Sequence, residues 1–423
     1  MLKSITGRAR RVAPTWARVA IISCALVAAS AARAEPLTYT QALALARSDA
    51  PAVHASALGV EAAEASAEAA GRLPDPRLSF GLDGFPVSGP AAGRFGEIEM
   101  TSVKVGLQQA VPSRARRRAE RHIAEAEIGV ARAREGITLR EVEVATGQAW
   151  IDLFYAERRL AELDDVLAAL EPLWASAPSG VASSANRPAQ SLGPVELRAA
   201  LDDRRDDLRV DLVRARADLS RWTGDPLPSA SGSPPSIDLE PDVFDVDLAR
   251  LPALRAYGAV QDRAEAGLDL ARAARRPDWS FEAGYARRDP MFGDLVSVGA
   301  SVSLPLFQSG RQAPVIAARA ADARRVSAER EAAEREWTAI LRGDLAEYDV
   351  ARTRWVRARD VVLPNLRTRA DLETASYGAG RAGIMEVLDA FTALANGRLD
   401  ALDKEADVAR RAVRFTLIYG QDQ

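Results

Sequence analysis

The stretch of the chain that most resembles a chemical motif is GAGRAG at residues 378–383. It matches G-x-G-x-x-G, which binds the pyrophosphate of dinucleotides when it follows a strand and opens a helix. The residues before it, LPNLRTRADLETAS, favour a helix instead of a strand. The context for phosphate binding is therefore missing. We expect Gly378, Gly380 and Gly383 to allow positive φ and close backbone contact at a turn between two helices.

Two carboxylates, Glu386 and Asp389, follow this turn. Residues three apart share one face of a helix, so the pair could act together on a cation. The simpler interpretation is that both are solvated surface residues, which is the usual position of Asp and Glu.

Other reactive groups are sparse. His54 and His122 are the only histidines, no cysteine flanks them, and the four methionines form no M-x-x-M cluster. Zinc and copper sites need such clusters. We also find no nucleophile elbow, P-loop or zinc motif. The sequence predicts no catalytic residues, no resident metal and no cofactor, and hence a protein that is not an enzyme.

The N-terminus reads as a signal peptide over residues 1–34. Basic residues precede an apolar run from Val19 to Ala32, and Ala32-Arg33-Ala34 is typical of a cleavage site. Lipidation of Cys24, the only cysteine, is an alternative that the flanking residues support poorly. Cleavage would remove six of the 56 Lys and Arg but none of the 59 Asp and Glu, leaving a net charge of −9.

An exported acidic chain is a poor candidate for binding nucleic acid. One local exception to the acidic balance is a run of five arginines, Arg114, Arg116, Arg117, Arg118 and Arg121. Because this run follows a predicted strand in an exported protein, we expect it to face water or anionic headgroups.

The sequence is duplicated. The matching segments are GRLPDPRLSF with ARRPDWSF, TSVKVGLQQAVP with VSVGASVSLP, GPVELRAAL with GIMEVLDAF, and ADLSRWTG with VRFTLIYG, in the same order. We divide the chain into a first repeat (35–223), a Pro/Ser-rich linker (224–245) and a second repeat (246–423). Each repeat is predicted to contain a helix, two strands, a long helix, a turn and a returning helix.

The predicted strands cover about 76–86, 101–111, 277–287 and 295–305, and their apolar residues alternate with polar ones. Such alternation is typical of an antiparallel sheet with one wet face. It is also typical of membrane strands that are apolar towards lipid and polar towards a lumen. The strands alone do not distinguish these two structures.

The predicted long helices cover about 113–175 and 310–376, and a returning helix covers about 383–418. Apolar residues repeat in sevens in both long helices, which favours supercoiled packing. The first would be roughly 90 Å long. Four strands cannot close a membrane barrel, since the smallest known have about eight. If these strands enter a membrane, several copies must share one barrel, and three copies would supply twelve strands.

These features resemble the TolC-like outer-membrane factors of tripartite efflux pumps, over essentially the whole of residues 37–420. The most specific segment is YGAGRAGIMEVLDAFTAL (377–394). LPDPRLSFGLDGFPVSGP and VGLQQAVPSRARRRAE are similar to the heavy-metal-exporter (CzcC/CusC-like) branch.

The resemblance implies a mainly α fold with a β-barrel portion. A homotrimer would form a twelve-stranded outer-membrane β-barrel on a twelve-helix periplasmic α-barrel. It also implies a passive exit duct for heavy-metal cations, with a periplasmic adaptor and an inner-membrane RND-type transporter as partners. Drugs or secreted polypeptides remain possible cargoes. A structural coiled-coil envelope protein is the alternative function, and a periplasmic metal-binding protein would need ligand clusters that the sequence lacks.

The resemblance also assigns residues. Glu386 and Asp389 match the acidic ring that constricts the periplasmic tip in this family, and Gly193, Gly378, Gly380 and Gly383 match the hairpin tips that dock the adaptor. The sequence departs from the commoner pattern at Ala382, where a basic residue often stands. A salt bridge of the tip that involves this position is therefore in doubt.

Overall fold

The fold is mainly helical and carries one small sheet, as the sequence predicts. A computed structural model describes residues 36–182, 192–239 and 247–420. The elements, in chain order, are α1 (Tyr39–Asp49), α2 (Pro51–Ala69), β1 (Arg77–Asp83), β2 (Ser102–Val111), α3 (Arg114–Ala182), α4 (Gly193–Thr223), a 3₁₀ turn (Leu248–Arg250), α5 (Pro252–Ala273), β3 (Trp279–Arg287), β4 (Leu295–Val302), α6 (Gln312–Arg357), a π-helix (Ala358–Val362), α7 (Leu363–Gly378) and α8 (Ile384–Tyr419). The predicted signal peptide, including Cys24, lies outside the described residues.

The four strands form one antiparallel sheet in the order β1-β2-β3-β4. The central pair joins the two repeats, with Val105 opposite Tyr285. Residues that are directly opposite each other share a face of the sheet. Phe80, Val105, Tyr285 and Val296 therefore lie in one row of the apolar face. The other face carries polar and small residues apart from Leu295, so the alternation seen in the sequence sorts the sheet into two chemically distinct sides.

The apolar face of the sheet is not covered by any part of the described chain. Phe80 is 73% exposed, and Val298 is 84% exposed. In the described chain, β1 pairs only with β2 and β4 pairs only with β3, so both outer strands have an unpaired side. This sheet lacks the one-sided core that a sheet of a globular protein normally has.

Helix α3 has 69 residues and is about 100 Å long. Every seventh residue of one predicted register is buried: Val142, Ala149, Ala156, Leu163 and Leu170. The heptad spacing thus marks a real packing face, which clusters with buried residues of α1, α4 and α8. The helix continues through Pro172 and ends seven residues beyond the expected Ala175. Leu170 and Trp174, on either side of the proline, are buried in a core shared with α4 and α8.

The second long helix is not continuous. Residues 358–362 form a π-helix, directly before Pro364 at the start of α7. Proline has no N–H and its ring clashes with the carbonyl four residues earlier, so a widened turn relieves the clash. The extra residue in this turn shifts the heptad register. The spacing in sevens accordingly holds up to Ala358, which is buried seven residues after the buried Ala351, and fails at Val362, which is 41% exposed seven residues after the half-buried Trp355.

The linker between the repeats has no helix or regular strand over its described part, 224–239, yet specific bonds hold it. Leu37 and Ala230 form a parallel bridge. The phenol of Tyr348 in α6 donates to the carbonyl of Ile237 (2.7 Å) and accepts from the amide of Leu239 (2.9 Å). The linker is thus tied to the N-terminal segment on one side and to the second repeat on the other.

Within the described ranges, no helix is both long and apolar enough to cross a bilayer.

Candidate functional site at the hairpin tip

The GAGRAG segment forms the turn between α7 and α8, and its glycines have different roles. Gly380 has φ +71° and follows the last residues of α7. The amide of Arg381 donates to the carbonyl of Ser376 (2.8 Å), and the amide of Gly380 donates to the carbonyl of Tyr377 (2.9 Å). This pattern is a Schellman motif, in which glycine is favoured at the left-handed position. The amides that a phosphate would need are therefore already bonded to helix carbonyls.

The other two glycines do not have positive φ. Gly378 is the last residue of α7, with no atom near the place of a Cβ. Gly383 caps α8 with φ −84°, and a Cβ there would lie 2.7 Å from Oε2 of Glu386. The Glu386 carboxylate thus lies over the first turn of α8, where the helix dipole favours negative charge. Gly383 leaves room for that carboxylate.

Glu386 and Asp389 lie on the outer face of the first turns of α8. Both are exposed, while Ile384, Val387 and Leu388 between and beside them are buried. Neither carboxylate forms an ion pair with any residue of the described ranges. The buried residues fix the helix against its neighbours, so the two charges are held in place but are not neutralised by an ion pair with the described residues.

The start of α4 contacts the start of α8. A Cβ on Gly193, at the start of α4, would lie 2.5 Å from the sulfur of Met385 in α8. Around this contact, α3, α4 and α8 share an apolar cluster, which we call the tip core: Leu163, Val166, Leu170, Trp174, Leu201, Leu208, Ile384, Leu388, Ala395 and Leu399. The sequence did not reveal this contact, because about 190 residues separate Gly193 from Met385. It makes Gly193 a packing position of the tip.

Further along, a row of ion pairs joins α3 to α8. It includes Glu162 with Arg398 (2.8 Å), Arg159 with Asp403 (2.5 Å) and Asp152 with Arg410 (2.7 Å). These pairs are partly exposed, so each contributes little alone. Within the same row, the Tyr155 phenol donates to Glu405 (3.0 Å). Burial raises the pKa of Tyr155 above its ordinary value, and the neighbouring Glu405 carboxylate adds to the rise.

The metal candidates named in the sequence analysis do not come together into a ligand set in the described chain. His54 lies in α2 and His122 in α3, and both are exposed. Among the described residues, no group of three or more His, Cys, Asp or Glu side chains is arranged to hold a metal ion.

Comparisons with known proteins agree with this architecture. The family described as outer membrane efflux protein matches residues 245–421, and no curated protein matches the sequence significantly. The structure is similar to a membrane protein of Pseudomonas aeruginosa (TM-score 0.75, 17% identity, covering 90% of each chain). It is also similar to CusC (TM-score 0.75, 14% identity, 90% of this chain and 92% of that one). A third similar structure is the CmeC outer membrane channel of Campylobacter jejuni (TM-score 0.75, 12% identity, 90% and 85%).

At these identities the likeness shows a shared fold. The chain therefore has the fold of outer-membrane channels, and its second repeat matches an efflux-protein family. Two of these similar structures are described as channels, CusC as forming a transmembrane channel and CmeC as an outer membrane channel.

Proposed function

We propose that this chain is one subunit of a TolC-like outer-membrane factor, the passive exit duct of a tripartite efflux pump. Three copies would form a twelve-stranded barrel in the outer membrane and a twelve-helix barrel in the periplasm. A signal peptide over residues 1–34 would direct export. A periplasmic adaptor and an inner-membrane RND-type transporter would deliver the cargo.

The observation that carries this proposal is the sheet. It presents an exposed apolar face and has two outer strands with unpaired sides in the described chain. In hydrocarbon each unpaired backbone group costs several kcal/mol, so strands of this kind are viable in lipid only in a closed barrel. Pairing β4 of one copy with β1 of the next would close the barrel.

Cysteine crosslinking tests this arrangement. Ser79 in β1 and Ser297 in β4 lie in one row of the polar face, three strand spacings apart within a chain. That is about 14 Å, and a disulfide spans Cα atoms no more than about 7 Å apart. A disulfide between Ser79→Cys and either Ser297→Cys or Ser301→Cys must therefore join two copies. We expect a covalent trimer on a denaturing gel.

The matched control pairs Ser79→Cys with Val298→Cys, which lies on the opposite face and should not crosslink. If protein extracted from membranes ran only as an uncrosslinked monomer in every cysteine variant, the shared barrel would be contradicted. A rod-like oligomer that needs no detergent would favour the alternative, a structural coiled-coil envelope protein.

For the tip, we propose that Glu386 and Asp389 form the acidic ring that constricts the channel. Three observations support this proposal. Both side chains are exposed, neither forms an ion pair in the described chain, and the tip core fixes the first turns of α8 that carry them. Three copies would bring six carboxylates towards one axis. Mutual repulsion and attraction for cations would then control a narrow mouth. Gly193, Gly378, Gly380 and Gly383, at the same tip, are proposed to shape the surface that docks the adaptor.

Single-channel recording tests the gate. Replacing Glu386 and Asp389 by Ala should raise the conductance in planar bilayers and weaken block by divalent cations. Glu336→Ala with Asp371→Ala is a matched control, because these acids are also exposed and without an ion pair in the described chain. Unchanged conductance and unchanged block in the first variant would remove the gating role.

Heavy-metal cations are the proposed cargo, supported by the similarity of 73–90 and 105–120 to the heavy-metal-exporter branch. The duct would conduct them, and the transporter would select them. Deleting the gene and challenging cells with metals, drugs and reporter polypeptides tests the cargo. Sensitivity to drugs without sensitivity to metals would reassign it.

A further inference from the structure

The inference concerns the junction between the sheet and the helices. Four segments make this junction: 71–77 between α2 and β1, 113–122 at the start of α3, 274–278 between α5 and β3, and 303–311 between β4 and α6. Pairing of Arg77 with Gln108, Val111 with Trp279, and Trp279 with Val302 places all four at the same end of the sheet. They therefore form one belt along this end of the sheet.

This belt is strongly basic. The four segments contain ten arginines, no lysine and only three acidic residues, a local charge of +7 in a mature chain of −9. Two of the three acids, Glu120 and Asp278, pair with the same arginine, Arg116. The third, Asp75, is exposed.

Most of these arginines are exposed and form no ion pair with the described residues. We call the following set the arginine collar: Arg72, Arg77, Arg114, Arg118, Arg121, Arg275, Arg276 and Arg311. Two close contacts fix its shape. A Cβ on Gly71 would lie 2.3 Å from the Arg117 carbonyl oxygen, which places the α2–β1 loop against α3. Asp278 accepts from the Ser113 amide (2.7 Å), which joins the start of β3 to the start of α3.

Large apolar side chains stand exposed at the same level. They are Leu73, Trp279, Leu304, Leu306 and Phe307, and Leu306 and Phe307 are about three-quarters exposed. They continue the exposed apolar face of the sheet. Arginine beside exposed leucine and aromatic residues is typical of a membrane–water boundary, where cations meet headgroups and apolar groups meet acyl chains.

We propose that the arginine collar binds the headgroups of anionic phospholipids in the leaflet next to the helices. The proposal rests on the proposed function, because it needs the sheet to lie in a bilayer. Guanidinium groups bind phosphate oxygens in a bidentate manner and stay charged at all relevant pH values. An anionic headgroup supplies the negative charge that the described chain does not supply here. A zwitterionic headgroup supplies no net charge.

Spin-label electron paramagnetic resonance measures this selectivity directly. The full-length protein is reconstituted in phosphatidylcholine vesicles with trace spin-labelled phosphatidylglycerol or phosphatidylcholine, and the motionally restricted fraction is compared. A basic residue at the surface is worth about 1 kcal/mol towards anionic lipid. That corresponds to a preference of about fivefold for phosphatidylglycerol. The preference should approach one in 1 M NaCl, where the Debye length is about 3 Å.

A variant with Arg72, Arg114, Arg121 and Arg275 changed to Gln should lose the preference. The matched control changes four exposed arginines of α6 and α7 that form no ion pair in the described chain, Arg342, Arg354, Arg367 and Arg369, to Gln. This control should keep the preference. Circular dichroism verifies that both variants are folded, and the salt series on the unchanged protein needs no variant.

Three results would overturn the collar: equal restriction of both lipids by the unchanged protein, a preference that survives in the collar variant, or an equal loss in the control. Channel conductance recorded from the same vesicles separates the two proposals. Conducting channels without lipid preference would refute the collar alone. Failure to insert into any vesicle would refute the proposed function as well.

Discussion

The tip core makes a specific prediction about what keeps the start of α8 in place. Leu388 is completely buried and lies between the two exposed carboxylates, Glu386 and Asp389, on the opposite side of α8. Its apolar partners come from α3 and α4, which include the buried Leu170 and Leu201. Leu388→Ala should therefore loosen the first turns of α8 from the other hairpin without removing a charge.

The magnitude follows from the burial. Replacing a fully buried leucine by alanine costs about 2–5 kcal/mol, depending on how far the cavity collapses. We take about 3 kcal/mol, because flexible Met385 lies at the edge of the core and can fill part of the space. If the substitution lowers the free energy of local opening of the tip by this amount, the equilibrium constant for opening rises by about 150-fold, since about 1.4 kcal/mol corresponds to a factor of ten.

Hydrogen exchange measured by mass spectrometry reads this opening directly. Peptides that cover 384–395 should exchange about 150-fold faster in the variant, as local opening governs their protection. Peptides from the middle of α3 should not change. Leu372→Ala is the matched control, because this leucine of α7 is 63% exposed. Equal exchange in the two variants, or faster exchange throughout the molecule, would refute the reasoning that the tip core holds α8 locally.

Two further predictions concern single residues. Gly71→Ala should lower stability by about 2–5 kcal/mol, because φ +65° is left-handed and the new Cβ would meet the backbone of Arg117. Gly232→Ala, at φ +83° with its nearest atom at 3.8 Å, should cost only about 1–2 kcal/mol by thermal denaturation. Tyr39 has its pKa raised to about 12 by burial and by Glu143. Because the folded state favours the protonated phenol, the stability that Tyr39 contributes should be complete below its ordinary pKa of about 10. It should be lost as the pH rises from about 10 through 12, where the folded protein also loses the proton. Tyr39→Phe should abolish this loss and the matching step in tyrosinate absorbance, and an unchanged titration would contradict the assignment.

Much of the architecture could be predicted because it depends on repeating patterns. Val142, Ala149 and Leu163 are spaced in sevens, and such spacing can bury one face only in a supercoiled arrangement. The strands alternate with period two, and the register puts Phe80, Val105 and Tyr285 on one face as that period requires. In both cases a local repeat decides which side of an element is apolar.

The details of the tip could not be predicted because they depend on contacts between distant segments. The contact of Gly193 with Met385 joins residues from different repeats, and neither residue has a local pattern that would reveal it. The roles of the three turn glycines differ although the motif treats them alike, since only Gly380 has positive φ.

Pro364 did give a local signal for the π-helix, because proline inside a helical pattern requires a kink, a bulge or an end.

Under the proposed function, the sheet would link membrane insertion to assembly. In water, the exposed apolar face, with Phe80 and Val298 largely uncovered, would drive aggregation. In hydrocarbon, that face is satisfied, but the unpaired sides of β1 and β4 in the described chain are not. A single copy is therefore unfavourable both in water and in hydrocarbon. Pairing β4 of one copy with β1 of the next would satisfy the backbone groups, but it would leave the apolar face exposed to water. Closing the proposed ring inside the bilayer would remove both, so the proposed barrel would form and insert in one coupled process, and the proposed arginine collar would set its depth at the headgroups.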